Sequence, residues 1–386
     1  MTGASTATPT TVVERLALTD FRSYPSLAVE FPLGTQVVVG PNAAGKTNLL
    51  EALVVLGTGR SHRTTTDSEM VNWSADFCRL EVALGDSGAD RRSTVEVVIG
   101  RTPAISRKRA KVNGVARRPA TLSGTLPVVV FAPEDMLLLV GGPTLRRQAV
   151  DALVEQLEPA AGATFSTYAR GLTQRNNLLR ALREGTAERT ELAYWDGLVC
   201  EEGGLIVEWR QRALAELAGP LARTHDEIAG EGPLSLSYIS NAEPLPTEST
   251  QAALRRRLAE TADKELWNGA TLVGPHRDDI GFELDGRQMA GAASRGQQRS
   301  AILAFKLAQL ELLTVLRGRP PLLLLDDVFS ELDPQRRGQL VRRLAALPQA
   351  FVTTTTVDDL HPSLVAAATV WTVADGRIER LAAATR

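Results

Sequence analysis

The chain has 386 residues, 44% of them hydrophobic, and a formal net charge of -2. That is enough apolar content for a sizeable core and more than one lobe, and it excludes a globally basic nucleic-acid binder while leaving a local basic patch open. Cys78 and Cys200 lie far apart in sequence and fit a reduced, cytoplasmic protein better than a disulfide scaffold, and no run reaches the ~20 apolar residues needed to span a membrane.

The N-terminal MTGASTATPTT has neither a basic nor an apolar segment, so residues 1–11 read as a disordered tail rather than a secretory signal. Strands are expected in 12–40, where VERLALTDF and LAVEF precede the β-branched run QVVVG, and a helix follows over Leu49 to Leu56. RLEVAL, STVEVVIG and PVVVF read as further strands, and Asn113-Gly114 within RKRAKVNGVARRP is a type I′ hairpin signal. From about Leu145 to Leu272 the texture turns to Ala, Leu, Glu and Arg at helical spacing, interrupted by the loop-like NAEPLPTEST. Strand signals return after 271 with PLLLLDDVF and QAFVTTTTV. The expectation is an α/β protein with a discontinuous strand-rich lobe (12–140 and 271–386) around a helical lobe (141–270), without internal repeats.

Three stretches carry chemistry. Gly40, Gly45, Lys46 and Thr47 in VVVGPNAAGKTN match G-x-x-x-x-G-K-[ST] between a strand and a helix. Glycines let successive N–H groups turn towards phosphates, and a helix N-terminus favours an anion. The loop Gly40, Pro41, Asn42, Ala43, Ala44, Gly45 and Lys46, with Thr47 and Asn48, is expected to hold a nucleotide, Lys46 reaching the β- and γ-phosphates and Thr47 ligating Mg²⁺. An incidental strand-to-helix turn is the bland reading; only five of the 43 basic residues are lysines, which makes a chance match rare. In PLLLLDDVF, two aspartates end a buried strand and need something cationic to meet them. Asp326 is expected in the Mg²⁺ shell, and Asp327 orients or deprotonates the attacking water. Ser294-Arg295-Gly296-Gln297 opens a helix and either caps it or offers a second anion site. With SELD (Ser330 to Asp333) after the carboxylates, the order is that of an ABC-type ATPase.

These motifs, with LTDFRSY, GTGRSHR (57–63), FAPEDMLLLVGGPTLRR (131–147), QRNNLLR (174–180), VGPHRDD (273–279) and LLLLDDVFSELD (322–333), resemble the RecF family of bacterial recombination-repair proteins, relatives of the SMC-type ABC ATPases, across nearly the whole chain. The resemblance implies an ABC-type ATPase head with an inserted helical lobe. It implies a homodimer closing on ATP, which would lie between Lys46 of one chain and Ser294, Arg295, Gly296 and Gln297 of the other, with Ser330 and Asp333 in an interface loop. It further implies slow ATP hydrolysis, binding to single- and double-stranded DNA at gaps, help in loading the RecA recombinase, RecR as partner and RecO indirectly. Asp327 stands where many relatives carry glutamate, SRGQQ replaces LSGG, and Thr353 to Thr356 occupy the place of a switch histidine; Glu134 falls near the expected glutamine loop. These departures fit a slow timer.

Some residues keep two readings. Arg60, His62 and Arg63 either contact phosphate or partner, or form an ion-pair loop. The GPHRDD segment (His276 to Asp279) is expected to join the lobes through a polar network. Arg107, Lys108, Arg109 and Lys111, with Arg101, Arg117 and Arg118, either track DNA phosphates or blunt a hairpin edge; Arg146, Arg147 and Arg255 to Arg257 are weaker DNA candidates. Two other functions compete. A transporter energy subunit would need a permease-docking surface and more often reads LSGGQ, and an ATP-binding scaffold without hydrolysis would not need the paired aspartates.

Overall fold

A computed structural model describes residues 11–86, 89–101 and 108–381. In β1 (Thr11–Phe21), Leu16 and Leu18 turn inward and Arg15 and Thr19 outward, as period-two alternation dictates. Next come β2 (Tyr24–Glu30) and β3 (Gly34–Val39), then α1 (Lys46–Thr58), which contains the expected helix. β4 (Phe77–Asp86), β5 (Ala89–Gly100), β6 (Arg109–Val112) and β7 (Val115–Arg117) complete an antiparallel sheet of order β2-β1-β4-β5-β6-β7. The β6–β7 turn is the expected hairpin, with φ of 52° at Asn113 and 76° at Gly114.

After β8 (Val128–Phe131) come α2 (Leu137–Val140), α3 (Pro143–Leu157), α4 (Ala161–Arg183), the 37-residue α5 (Leu192–Ile228), β9 (Leu234–Ile239), α6 (Thr250–Asn268), β10 (Asp279–Leu284) and β11 (Arg287–Gln288). The rest is α7 (Arg295–Arg317), β12 (Leu322–Asp326), α8 (Pro334–Ala345), β13 (Gln349–Thr354), α9 (Pro362–Ala367), β14 (Thr369–Ala374) and β15 (Arg377–Arg380). A second six-stranded sheet has the order β15-β14-β3-β13-β12-β8; its strands from β14 to β8 are parallel and β15 is antiparallel.

The chain divides into two compact units. The first holds the described residues up to Met136, Thr224–Gly230, and the described residues from Arg295 onward. Here α1, buried along most of its length, lies between the two six-stranded sheets. Gln349 joins the sheets: its carboxamide accepts from the Val13 N–H at 2.8 Å and donates to the Val13 carbonyl at 2.9 Å. Phe31 meets Phe351 and Trp371 edge-on, and the Trp371 indole donates to Gln36.

The second unit is Leu137–Arg223 and Glu231–Ser294, with Tyr168, Cys200, Ile206, Leu254 and Val273 in its core. Two expectations are corrected here. The helical lobe contains a strand, β9, whose LSLSYI alternates and pairs with β10; that pairing carries residues 271–294 into the second unit rather than the strand-rich lobe. The GPHRDD network lies inside this unit instead of joining lobes. Asp279 takes both Arg146 donors at 2.7 and 2.8 Å, Asp278 accepts from Tyr238 at 2.6 Å, and His276 meets Tyr168 at 2.7 Å. Burial pushes the His276 pKa down to about 4.

Candidate nucleotide site

The loop from β3 to α1 is clamped from two sides. Gly45 has φ of 112°, and a Cβ there would lie 2.8 Å from Ser23 Oγ; a Cβ on Gly40 would lie 2.5 Å from the Val373 carbonyl oxygen. Both positions demand glycine for space, and Gly45 for conformation as well. Ala43 is also left-handed, with φ of 66°. The buried Tyr24 hydroxyl donates to the Gly45 carbonyl at 2.9 Å. Lys46 is buried at the start of α1, and its ammonium donates to the carbonyls of Gly40 at 2.7 Å and Pro41 at 3.0 Å. Desolvation lowers its pKa, opposed by the nearby charges of Asp327 and then Asp326. Thr47 and Asn48 are half-buried in the first turn, and Asn48 donates to Ser23 Oγ at 2.9 Å.

The carboxylates stand at the C-terminal end of β12, one strand removed from β3 across β13. All five residues of β12 are buried. Thr353, on β13, donates its hydroxyl to Asp326 Oδ1 at 2.5 Å and accepts from the Asp327 N–H at 3.0 Å. The position read only as lacking a histidine thus positions both acids. Asp327 itself is left-handed, with φ of 51°. The loop expected at an interface follows directly: Ser330 Oγ donates to the Asp327 carbonyl at 2.8 Å, and Asp333 caps α8 by accepting from the Arg336 N–H at 2.9 Å. Glu134 is exposed just after β8, while its neighbour Asp135 pairs with Lys306 of α7 at 2.7 Å.

Behind the cradle, Glu51 of α1 is fully buried. It accepts from Arg22 at 2.9 and 2.7 Å, from Ser61 at 2.5 Å and from Arg63 at 3.3 Å; Arg63 also donates to Asn48 at 2.9 Å. Of the two readings of GRSHR, Ser61 and Arg63 take the ion-pair one. The sequence held a signal for this centre: a lone acid inside the apolar run LLEALVVL of a buried helix. His62 is exposed between those two anchors. The Arg60 carbonyl accepts from Thr58 Oγ1 at 3.0 Å.

Ser294 and Arg295 are exposed at the start of α7, followed by the half-buried Gly296 and Gln297. In the basic hairpin, Arg107 lies outside the described residues. Lys108 is turned inward, donating to Asp67 at 2.6 Å and to the Gly59 carbonyl at 2.8 Å, so its charge is not offered to solvent. Lys111 pairs with Glu96 at 3.4 Å. Arg101 donates to the Trp73 carbonyl at 2.6 Å and lies 5.6 Å from the Trp73 ring centre. Arg109, Arg117 and Arg118 remain exposed. Arg146 is held by Asp279, Arg147 donates to the Asp278 carbonyl, and Arg256 and Arg257 pair with glutamates.

Residues 12–376 match the family model described as RecF/RecN/SMC N terminal domain. The chain is 40% identical over 376 residues to the DNA replication and repair protein RecF of Heliobacterium modesticaldum, covering 95% of this chain and 99% of that protein. It is 38% identical over 373 residues to RecF of Moorella thermoacetica, covering 97% and 98%. Among solved structures, the recombination mediator protein RecF of the RecFOR pathway with ATP is 29% identical, with a TM-score of 0.88 over 98% of this chain and 100% of that one. An Smc head domain derived from Pyrococcus furiosus, 15% identical with a TM-score of 0.53 over 96% of each chain, shares the fold.

Proposed function

Because this chain belongs to the RecF/RecN/SMC family, within it to RecF, and has the α/β fold of an ABC-type ATPase head, we propose that it is an ATP-dependent DNA-binding protein of recombinational repair and replication. It binds ATP, hydrolyses it slowly, dimerises on ATP, and binds single- and double-stranded DNA at gaps. It helps to load RecA, with RecR as direct partner and RecO further along. The observation that best supports this reading is the juxtaposition of a desolvated Lys46 with Asp326 and Asp327 beside a loop whose glycines leave no room for side chains.

That donor set fits a nucleotide triphosphate with Mg²⁺. The N–H groups of Asn42, Ala43, Gly45 and Lys46 would surround the phosphates, Lys46 would hold the β- and γ-groups, and Thr47 with Asp326 would hold the metal. A Mg²⁺ held there would supply charge neutralisation on the phosphates. Asp327 would orient the attacking water and take its proton as the new O–P bond forms and the bond from the γ-phosphorus to the β–γ bridging oxygen breaks, that oxygen leaving with ADP. Its carboxylate is one methylene shorter than a glutamate's, and Thr353 is committed to holding both acids, which together favour slow turnover.

DNA binding measured with and without a non-hydrolysable ATP analogue, at two salt concentrations, tests the reading alongside sedimentation of Ser294→Arg. Wild type should dimerise and bind DNA more tightly with the analogue. Ser294→Arg should bind ATP almost normally as a monomer yet neither dimerise nor gain DNA affinity. A variant that dimerises like wild type, or DNA binding indifferent to ATP, overturns it.

A further inference from the structure

We propose that Arg336 and Ser300 form a strut tying the interface loop to the signature turn, so that the two elements meant to face a partner chain move as one piece. The inference rests on the ATP-dependent dimer proposed above and says what prepares its surface.

The strut is a continuous line of side-chain hydrogen bonds. Asp333, closing the interface loop, accepts from the backbone N–H of Arg336 at 2.9 Å, and its other oxygen accepts from the Arg336 guanidinium. The same guanidinium donates through Nε to Ser300 Oγ at 2.8 Å. Ser300 Oγ in turn donates to the carbonyl of Gly296, the glycine of the signature turn, at 3.1 Å. The Asp333 carboxyl, which burial would raise, is held below its usual range by the Arg336 N–H and charge.

Two features mark this line as more than cohesion. Ser300 is completely buried on α7 and is followed by Ala301, Ile302, Leu303, Ala304 and Phe305, all buried as well. A hydroxyl there is costly unless bonded, and apolar packing at the same site would stabilise the helix as well or better. A guanidinium, moreover, is a planar fork that fixes two directions at once, which a lysine cannot do. Arg336 and Ser300 are therefore positioning residues: neither lies in the cradle, and both set the angle between the loop and the helix that would meet the partner's nucleotide.

The test uses the full chain with a non-hydrolysable ATP analogue. ATP affinity of the monomer should stay at the wild-type value in Arg336→Gln and Ser300→Ala, because the cradle belongs to β3 and α1. The dimer dissociation constant should rise about tenfold for each strut broken, hence roughly a hundredfold for the two struts of a symmetric dimer. Arg336→Lys should fall between. The double variant should be no worse than either single one, since both break the same line. Variants that dimerise at the wild-type concentration, a double variant equal to the sum of the singles, or a matching loss of monomer ATP affinity would each overturn the strut. A wild-type protein that stays monomeric with the analogue sinks the parent reading instead.

Discussion

Glu51→Gln isolates the buried centre behind the cradle without changing its shape. The carboxylate accepts four hydrogen bonds, two from Arg22 and one each from Ser61 and Arg63, and the amide can satisfy only one of its two faces. Turned one way, its NH₂ faces Arg22 Nε and Arg63; turned the other, it faces Arg22 Nη2 and Ser61. Either orientation loses two bonds, at least one of them charge-assisted, worth about 1.5 kcal/mol each. Arg22 and Arg63 keep 19% and 34% of their side chains exposed to water, which recovers part of the loss. The net cost is about 2 kcal/mol, or roughly 4–8 °C in Tm for a unit of this size. Burial opposes ionisation of Glu51, but Arg22, Ser61 and Arg63 outweigh it, so its folded pKa is depressed. The wild-type advantage is then fully present above about pH 5 and shrinks as the pH falls through the folded value. Thermal melts of both proteins from pH 7 downward measure this. A gap below about 2 °C at neutral pH, or one that does not narrow in acid, refutes the account.

Lys46→Ala should weaken ATP binding strongly in a protein that still melts cooperatively; titration with a fluorescent ATP analogue reads this directly. Asp327→Asn should bind ATP as wild type does and lose most turnover, because asparagine tolerates the left-handed backbone while lacking the charge; phosphate release assays decide it. In the basic hairpin, Arg109→Glu should lower DNA affinity on unrelated sequences and flatten its salt dependence by roughly 0.9 for each phosphate no longer neutralised. Lys108→Met should instead lower Tm and leave the salt slope alone, since its ammonium is bound to Asp67 and Gly59.

The cradle, the acidic strand and the hairpin turn were legible because each is a local rule: fixed spacing, a continuous apolar run, and two residues that accept positive φ. What stayed hidden depends on where distant side chains meet. Thr353 looked like a missing histidine, yet it bridges Asp326 and Asp327 through a strand pairing that no spacing announces. Lys108 looked like one charge in a solvated run, but a long flexible stem let it turn inward to Asp67, over forty positions away in sequence. The strand β9 was lost in a window dominated by helix formers, although LSLSYI alternates correctly when taken alone.

The position of β3 has a consequence for how the protein is made. The strand that carries the cradle is flanked on both sides, β13 and β14, by segments from the far end of the chain, and the Gly40 N–H is taken up by the Thr354 carbonyl. On the ribosome, β3 is translated early and waits with two open edges until nearly everything else has emerged. Throughout that interval the loop after β3 lacks two of the groups that shape it, the carbonyls of Thr354 and Val373 against Gly40. On the nucleotide-site reading proposed above, a nascent or C-terminally clipped chain would not engage nucleotide until β13 and β14 are in place.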